Sequence, residues 1–126
     1  MKKKIKTFQD ACIARGYDHK LLPDVSKLPK SLRDFTIANY KMAIICEAIN
    51  DGRKPNWNDH NECKYFAWFG IKASKAKPSG FGFSTTPDEI WSACTHAGSR
   101  FAFFSREDAL YVGKQFKEIY KHIILY

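Results

Sequence analysis

Between residues 31 and 50 the hydrophobic side chains recur at the spacing of an α-helix. Consecutive members of the series lie three or four residues apart: Leu32, Phe35, Ala38, Met42, Ile45 and Ile49. At about 3.6 residues per turn they share one face, which is typical of a helix packed against a core. The turn residues Asn50-Asp51-Gly52, followed by Pro55, predict where this helix ends.

Two more helices are predicted nearer the ends of the chain. Thr7 and Asp10 have the spacing of a capping box, and Gly16 stops the short helix that they begin. Ser105 and Asp108 have the spacing of a cap at the start of a final helix over residues 106–123. Its predicted apolar face comprises Ala109, Val112, Phe116, Ile119, Tyr120 and Ile123.

Residues 17–30 contain two prolines and scattered polar groups, so they are predicted to connect the first two helices. We expect this connection to dock onto the core through its apolar side chains, namely Leu21, Leu22, Val25 and Leu28.

The region between the second and the last helix has strand patterns. Strands are predicted at 64–72, 80–84, 89–96 and 100–104, where β-forming and aromatic residues are frequent. The element order predicts an α+β fold, with an antiparallel sheet of three to four strands packed against two longer helices plus a short N-terminal helix. The length of 126 residues suits a single α+β domain over residues 1–126.

Cysteine usage and the ends of the chain bear on the compartment. Cys12, Cys46, Cys63 and Cys94 show no regular spacing, so we expect free, buried thiols in a reducing compartment. No apolar run follows the basic residues at the start, and none is long enough to span a membrane. The expected location is the cytoplasm or a particle assembled in the cytoplasm.

The net charge of +8 bears on which partners the chain could bind. Residues 1–63 carry 12 basic and 8 acidic groups and residues 64–126 carry 9 and 5, so each half has a net charge of +4. Nucleic acid, an acidic protein surface or a charged lattice would each be attracted by such a chain. The even spread argues against a dedicated polybasic tail.

An aromatic hairpin with a basic loop is predicted between Lys64 and Ser84. Bases of single-stranded nucleic acid could stack on Phe81 and Phe83 while Lys72, Lys75 and Lys77 follow the phosphates. Alternatively the rings are core and protein contact, and the lysines form a solvated hairpin tip. We favour the second interpretation, because an aromatic stripe is usually buried.

Three aromatic residues are the predicted partner-binding residues: Trp57, Tyr65 and Trp68. Trp57 lies between asparagines in a polar loop, where it would cap the end of the sheet or anchor a partner. The strand that follows carries aromatic residues on both faces, so one face is left for a partner subunit or a ligand.

Neither a metal centre nor a catalytic site is predicted. His60 with Cys63 and Cys94 with His96 have zinc-binding chemistry, but the spacing of Cys94 and His96 is unlike that of zinc knuckles. Cys63 has no marked base for nucleophilic catalysis. The carboxylates Glu47, Asp51, Asp59 and Glu62 lie where solvated acids are common. No cofactor is expected.

Four stretches carry a resemblance to known proteins: EAINDGRKPNWNDHNECKYFAWF from Glu47 to Phe69, SGFGFS from Ser79 to Ser84, Gly98-Ser99-Arg100 and Gly113-Lys114-Gln115-Phe116. With them the chain resembles a set of small uncharacterised proteins carried by phages and mobile elements of gut bacteria. The resemblance implies a phage gene product that is not an enzyme, and it names no site residue.

The function expected from these features is that of a non-enzymatic phage accessory protein acting by protein–protein contact. It would be a virion component, auxiliary capsid or structural, whose partners are other protein subunits in an oligomer or assembly. The alternative is a single-stranded nucleic-acid-binding protein that uses the basic aromatic hairpin.

Overall fold

The computed structural model describes residues 5–59, 61–67, 90–93 and 100–124, and for residues 90–93 it describes the backbone alone. The chain divides into two compact units. The first comprises Met1–Lys54 and Glu118–Tyr126, and the second comprises Pro55–Lys117. A single domain over residues 1–126 stays a prediction, because this division does not show which parts fold independently.

Helix α1 (Phe8–Arg15) of the first unit begins and ends as its sequence predicts. The Thr7 hydroxyl accepts a hydrogen bond from the Asp10 backbone N–H, and the Asp10 carboxylate accepts one from the Thr7 backbone N–H. Gly16 ends the helix in the left-handed conformation at φ 74°. Both predicted ends of α1 are confirmed.

Helix α2 (Lys30–Ile49) provides most of the buried surface of the first unit and confirms the predicted helix over 31–50. Its fully buried side chains include Met42, Ile45 and Ile49, which belong to the predicted apolar face. The prediction is wrong for Leu32 of the same series, which lies in the first turn of α2 and is exposed. Ala11 and Cys12 of α1 are completely buried as well. Asn50 caps the end of α2, and Asp51 and Gly52 follow with positive φ angles.

The predicted final helix is divided in two. Helix α3 (Arg106–Gln115) starts at Ser105, whose hydroxyl accepts a hydrogen bond from the Asp108 backbone N–H. Phe116 leaves the helical conformation, with φ −111° and ψ 30°, and α4 (Lys117–Ile124) begins directly after it. One uninterrupted helix over 106–123 is therefore wrong, although its cap and its helical residues are confirmed.

The second unit contains a short antiparallel pair of strands, β1 (Lys64–Ala67) and β2 (Ile90–Ala93). Tyr65 lies opposite Ser92 of β2, and it also exchanges two backbone hydrogen bonds of 2.8 Å with Phe103. Helix α3 packs near these strands within the same unit. Its buried residues Ala109 and Val112 contribute to the core.

The predicted fold class is wrong. The described residues form four helices and one two-stranded sheet, in place of an antiparallel sheet of three to four strands. Residues 100–104 contribute one isolated bridge at Phe103, because the cap of α3 begins two residues later at Ser105. The predicted strand 80–84, together with residues 68–72, lies outside the described residues.

Candidate functional site

The connection between α1 and α2 is attached to α2 through its backbone. The Tyr40 hydroxyl donates to the Leu21 carbonyl at 3.0 Å, and the Arg33 guanidinium donates to the carbonyls of Leu28 and Ser26 at 3.0 and 3.1 Å. Arg33 and Tyr40 lie two turns apart on α2, roughly 10 Å along its axis. The connection therefore runs along the helix, held at two places.

The leucine side chains of this connection face solvent. We call residues 20–32 the leucine segment. The exposed fraction is 68% for Leu21, 41% for Leu22, 36% for Leu28 and 48% for Leu32. The prediction that Leu21, Leu22 and Leu28 dock onto the core is wrong, because polar bonds to the backbone hold the segment in place and leave these side chains outside. Val25 alone of the four predicted docking residues is half-buried.

The charges of the leucine segment are mostly positive. Lys20, Lys27 and Lys30 are exposed and form no ion pair with any described residue. The one acid of the segment, Asp24, accepts a hydrogen bond of 3.0 Å from the Ser26 backbone N–H. That bond lowers the pKa of Asp24, so its carboxylate is ionised at neutral pH. The segment thus presents aliphatic side chains between cations.

A polar network ties the end of α1 to α2. The carboxylate of Glu47 accepts hydrogen bonds from Arg15 Nε at 3.2 Å and from the Tyr17 hydroxyl at 2.6 Å. The bond to Glu47 is the largest cause of a raised pKa at Tyr17. Glu47 therefore links the end of α1 and Tyr17 to α2.

Trp57, one of the predicted partner-binding residues, is half-buried and packs against Phe66 and Ala102. The fully buried Lys64 places its ammonium 5.3 Å from the centroid of the Trp57 ring. The same ammonium donates to the carbonyls of Asn56 at 2.8 Å and Asp59 at 3.1 Å. Trp57 thus belongs to the closure of its own loop, which agrees with the capping alternative.

Glu62 completes this loop. Its carboxylate lies 3.6 Å from the Lys64 ammonium and accepts a hydrogen bond of 2.8 Å from the Asn56 backbone N–H. Each charged or polar group around Lys64 therefore has a structural partner. Sequence reasoning missed Lys64, because lysine is rarely buried completely and no pattern distinguishes this one.

Of the other predicted site residues, only Tyr65 lies within the described part of the chain. Tyr65 is half-buried in β1, between β2 and Phe103. Six of the predicted partner-binding and nucleic-acid-binding residues lie outside the described residues: Trp68, Lys72, Lys75, Lys77, Phe81 and Phe83.

The cysteines differ from the expectation of four free thiols. Cys12 and Cys46 are free and buried, but Cys63 is disulfide-bonded. Its sulfur is therefore available neither as a thiolate ligand for zinc nor as a nucleophile. His60, Cys94 and His96 lie outside the described residues, and among the residues described no cluster of three metal-ligating side chains occurs.

A shallow cavity of about 260 Å³ lies between α2 and α4 in the first unit. Its apolar floor is formed by Ile37, Ala38 and Ile119. Two acids and two bases surround the floor: Asp34, Lys41, Glu118 and His122. Because Lys41 lies over the Phe8 ring and Glu118 pairs with Lys121, two of these charges already have partners within the unit.

Comparisons with known proteins found nothing from which a function could be transferred to this chain. No protein-family model matches the chain, and neither the curated proteins nor the solved structures yield a match. Within the described part of the chain, no helix has the length and apolar character needed to cross a bilayer.

Proposed function

We propose that this chain is a non-enzymatic protein that acts by binding another protein. The observation that carries the proposal is the leucine segment, where four leucines remain 36–68% exposed. Three of them lie on a connection whose backbone is bonded to α2, and Leu32 lies in the first turn of α2 itself. Burial of a fully exposed leucine side chain contributes roughly 1.5–3 kcal/mol, and each of these partly buried leucines would contribute a part of that on binding. Four partly exposed leucines on one segment therefore favour contact with a protein surface.

The described polar groups support binding rather than catalysis. Glu47 and Glu62 accept hydrogen bonds within their own units, and Lys64 is enclosed by its loop. The sulfur of Cys63 is held in a disulfide. These groups are engaged in contacts within the fold.

A virion is the location that we propose for this role. The resemblance to phage-carried proteins favours an auxiliary capsid or structural component. The disulfide at Cys63 adds support, because disulfides persist on virion surfaces and are rare in a reducing cytoplasm. The net charge of +8 would attract the chain to an acidic lattice.

Mass spectrometry of purified particles tests this proposal. Particles produced by cells that carry the gene should contain the chain in a fixed ratio to the main capsid protein after a density gradient. A matched preparation from cells with a stop codon at Lys6 should lack the chain and serves as the control. If the chain stays with the host fraction while particles form normally, the virion role is wrong.

Binding of single-stranded nucleic acid remains the second candidate, and the net charge of +8 favours it. In that case Lys72, Lys75 and Lys77 would contact phosphates while Phe81 and Phe83 stack on bases. Binding would weaken steeply as salt rises, because each phosphate contact releases counterions.

A further inference from the structure

We infer that the leucine segment is the docking surface, and that its partner is a protein segment with aliphatic side chains set between carboxylates. This inference rests on the proposed function and names the surface and the partner chemistry. Lys20 precedes Leu21, and Lys27 and Lys30 flank Leu28. A partner that buried the leucines without supplying carboxylates would leave these cations beside an apolar interface, which is unfavourable.

The backbone of the leucine segment is prepared for binding. Tyr40 and Arg33 donate three hydrogen bonds to its carbonyls, and the Asp24 carboxylate closes a turn with Ser26. A partner would therefore need to order few groups beyond the side chains that it covers. Such preorganisation increases affinity, because less conformational entropy is lost on binding.

A second copy of this chain fits the surface poorly. In a twofold dimer the same patch would face itself, so three lysines and one aspartate from each copy would share one interface. Each chain also carries a net charge of +8. Like charges across an interface oppose association, so a partner of opposite charge is favoured.

The surface also differs from sites that bind nucleic acid or lie on a membrane. Residues 20–32 contain no aromatic side chain on which a base could stack. Residues 20–29 are not helical, so the segment is no amphipathic helix of the kind that lies in a lipid interface.

Site-specific photo-crosslinking tests the inference. The photo-reactive amino acid benzoylphenylalanine replaces Leu21 or Leu28, and as a control it replaces Lys114, which is exposed on α3. Irradiation is carried out on producing cells and on purified particles. We expect positions 21 and 28 to crosslink to one and the same protein, through peptides rich in Asp, Glu and aliphatic residues, and position 114 to give no such product.

Substitutions measure how much the leucines and the lysines of the segment contribute to the affinity for the partner. Leu21→Asp together with Leu28→Asp should weaken association with the crosslinked protein at least about tenfold. Changing Lys20, Lys27 and Lys30 to Glu should weaken it about as much. Ile124→Asp changes an aliphatic residue of similar exposure outside the segment and should leave association unchanged. Circular dichroism checks that each variant is folded.

Four results would overturn the inference. They are crosslinks to a second copy of this chain, crosslinks to peptides without acidic residues, no crosslink from positions 21 and 28 in cells or particles, and unchanged association of the leucine variant. Binding to vesicles of about three parts phosphatidylcholine to one part phosphatidylglycerol, lost in that variant, would also contradict it. Particles that contain the leucine variant at normal levels would reject the surface while leaving the proposed function intact.

Discussion

The ammonium of Lys64 lies 5.3 Å from the centroid of the Trp57 ring, and the two residues close a loop between them. Lys64 is completely buried, and its ammonium also bonds to the carbonyls of Asn56 and Asp59. A buried charge is stable only where such partners replace water. The loop around Trp57 therefore depends on one lysine of the adjoining strand.

Replacing Lys64 with methionine should destabilise the second unit by on the order of 2 kcal/mol. Methionine fills a similar volume, but the carbonyls of Asn56 and Asp59 lose their charged donor and keep only a backbone N–H each. The Glu62 carboxylate also loses its cation. Urea unfolding followed by circular dichroism measures the change. Lys54→Met is the matched control, because Lys54 is exposed and should change stability by only a few tenths of a kcal/mol. Equal effects of the two changes would contradict the assigned role of Lys64.

The sequence predicts the helices better than it predicts their neighbours. The apolar series from Leu32 to Ile49 gives α2 almost to the residue, because a long periodic pattern allows one interpretation. The same periodicity continues past Phe116, where the chain leaves the helical conformation. Periodicity predicts which face of a helix is apolar. It does not show to which of the two compact units a given turn of the helix belongs. In this chain the division between units falls at Glu118.

The leucine segment shows why the candidate surface could not be predicted. Leu21 and Leu28 are as hydrophobic as core residues, and hydropathy alone assigns them to the interior. Their backbone is held by Tyr40 and Arg33, so the segment is attached without burial of its side chains. The predicted strand over 100–104 is longer than the observed one-residue bridge at Phe103 for a comparable reason. β propensity does not show that the cap of α3 follows at Ser105.

Gly16 and Gly52 allow a matched comparison of backbone strain. Both have left-handed φ angles, 74° and 76°, so alanine should cost about 1 kcal/mol at either position. At Gly52 a methyl group would also lie 3.0 Å from the Arg15 guanidinium, whereas at Gly16 it would meet nothing within 4 Å. Gly52→Ala should therefore be the more destabilising change in thermal unfolding.

The additional destabilisation expected for Gly52→Ala, relative to Gly16→Ala, should depend on Arg15. A methyl group there would displace the guanidinium and weaken its bond to Glu47. In an Arg15→Ala background, Gly52→Ala and Gly16→Ala should therefore cost nearly the same. An excess that persists without Arg15 would mean that the contact does not cause it.

The cysteines should differ in reactivity. Burial raises the pKa of the Cys12 thiol, and the nearby charge of Asp18 raises it further. Cys12 and Cys46 should therefore react with iodoacetamide slowly in the folded protein and rapidly in urea. Peptide mapping without reductant should recover Cys63 in a linked peptide. Alkylation of Cys63 in the native, unreduced protein would contradict the disulfide.

Removing the disulfide with Cys63→Ser should lower the free energy of unfolding by about 2–4 kcal/mol. Reductant should reduce the stability of the unchanged protein to that of the variant, because both treatments release the same crosslink. The variant should not respond to reductant, which provides the control. A wild-type unfolding curve that is insensitive to reductant would show that the bond contributes nothing.

Tyr17 should make stability depend on alkaline pH. Its bond to Glu47 raises the pKa of Tyr17 above the ordinary value of 10.0. Because the pKa is higher in the folded state, the stabilisation is complete below pH 10 and is lost as the pH rises through the raised pKa. Unfolding midpoints of the wild type and Tyr17→Phe should therefore converge above pH 10. A constant difference up to pH 12 would contradict this linkage.

Binding of single-stranded DNA should separate the two proposed functions. We expect no binding at micromolar concentration and physiological salt, because the net charge is spread evenly over both halves of the chain. Two triple variants remove equal charge and serve as controls for each other. One changes Lys72, Lys75 and Lys77 to alanine, and the other changes Lys20, Lys27 and Lys30.

Fluorescence anisotropy with labelled oligonucleotides at several salt concentrations measures the outcome. Weak binding at low salt that both variants reduce equally would reflect net charge alone, since each phosphate contact adds about one unit to the salt slope. Association with the protein partner should be weakened only when Lys20, Lys27 and Lys30 are changed. Micromolar binding at physiological salt that the change of Lys72, Lys75 and Lys77 abolishes would instead establish the nucleic-acid function.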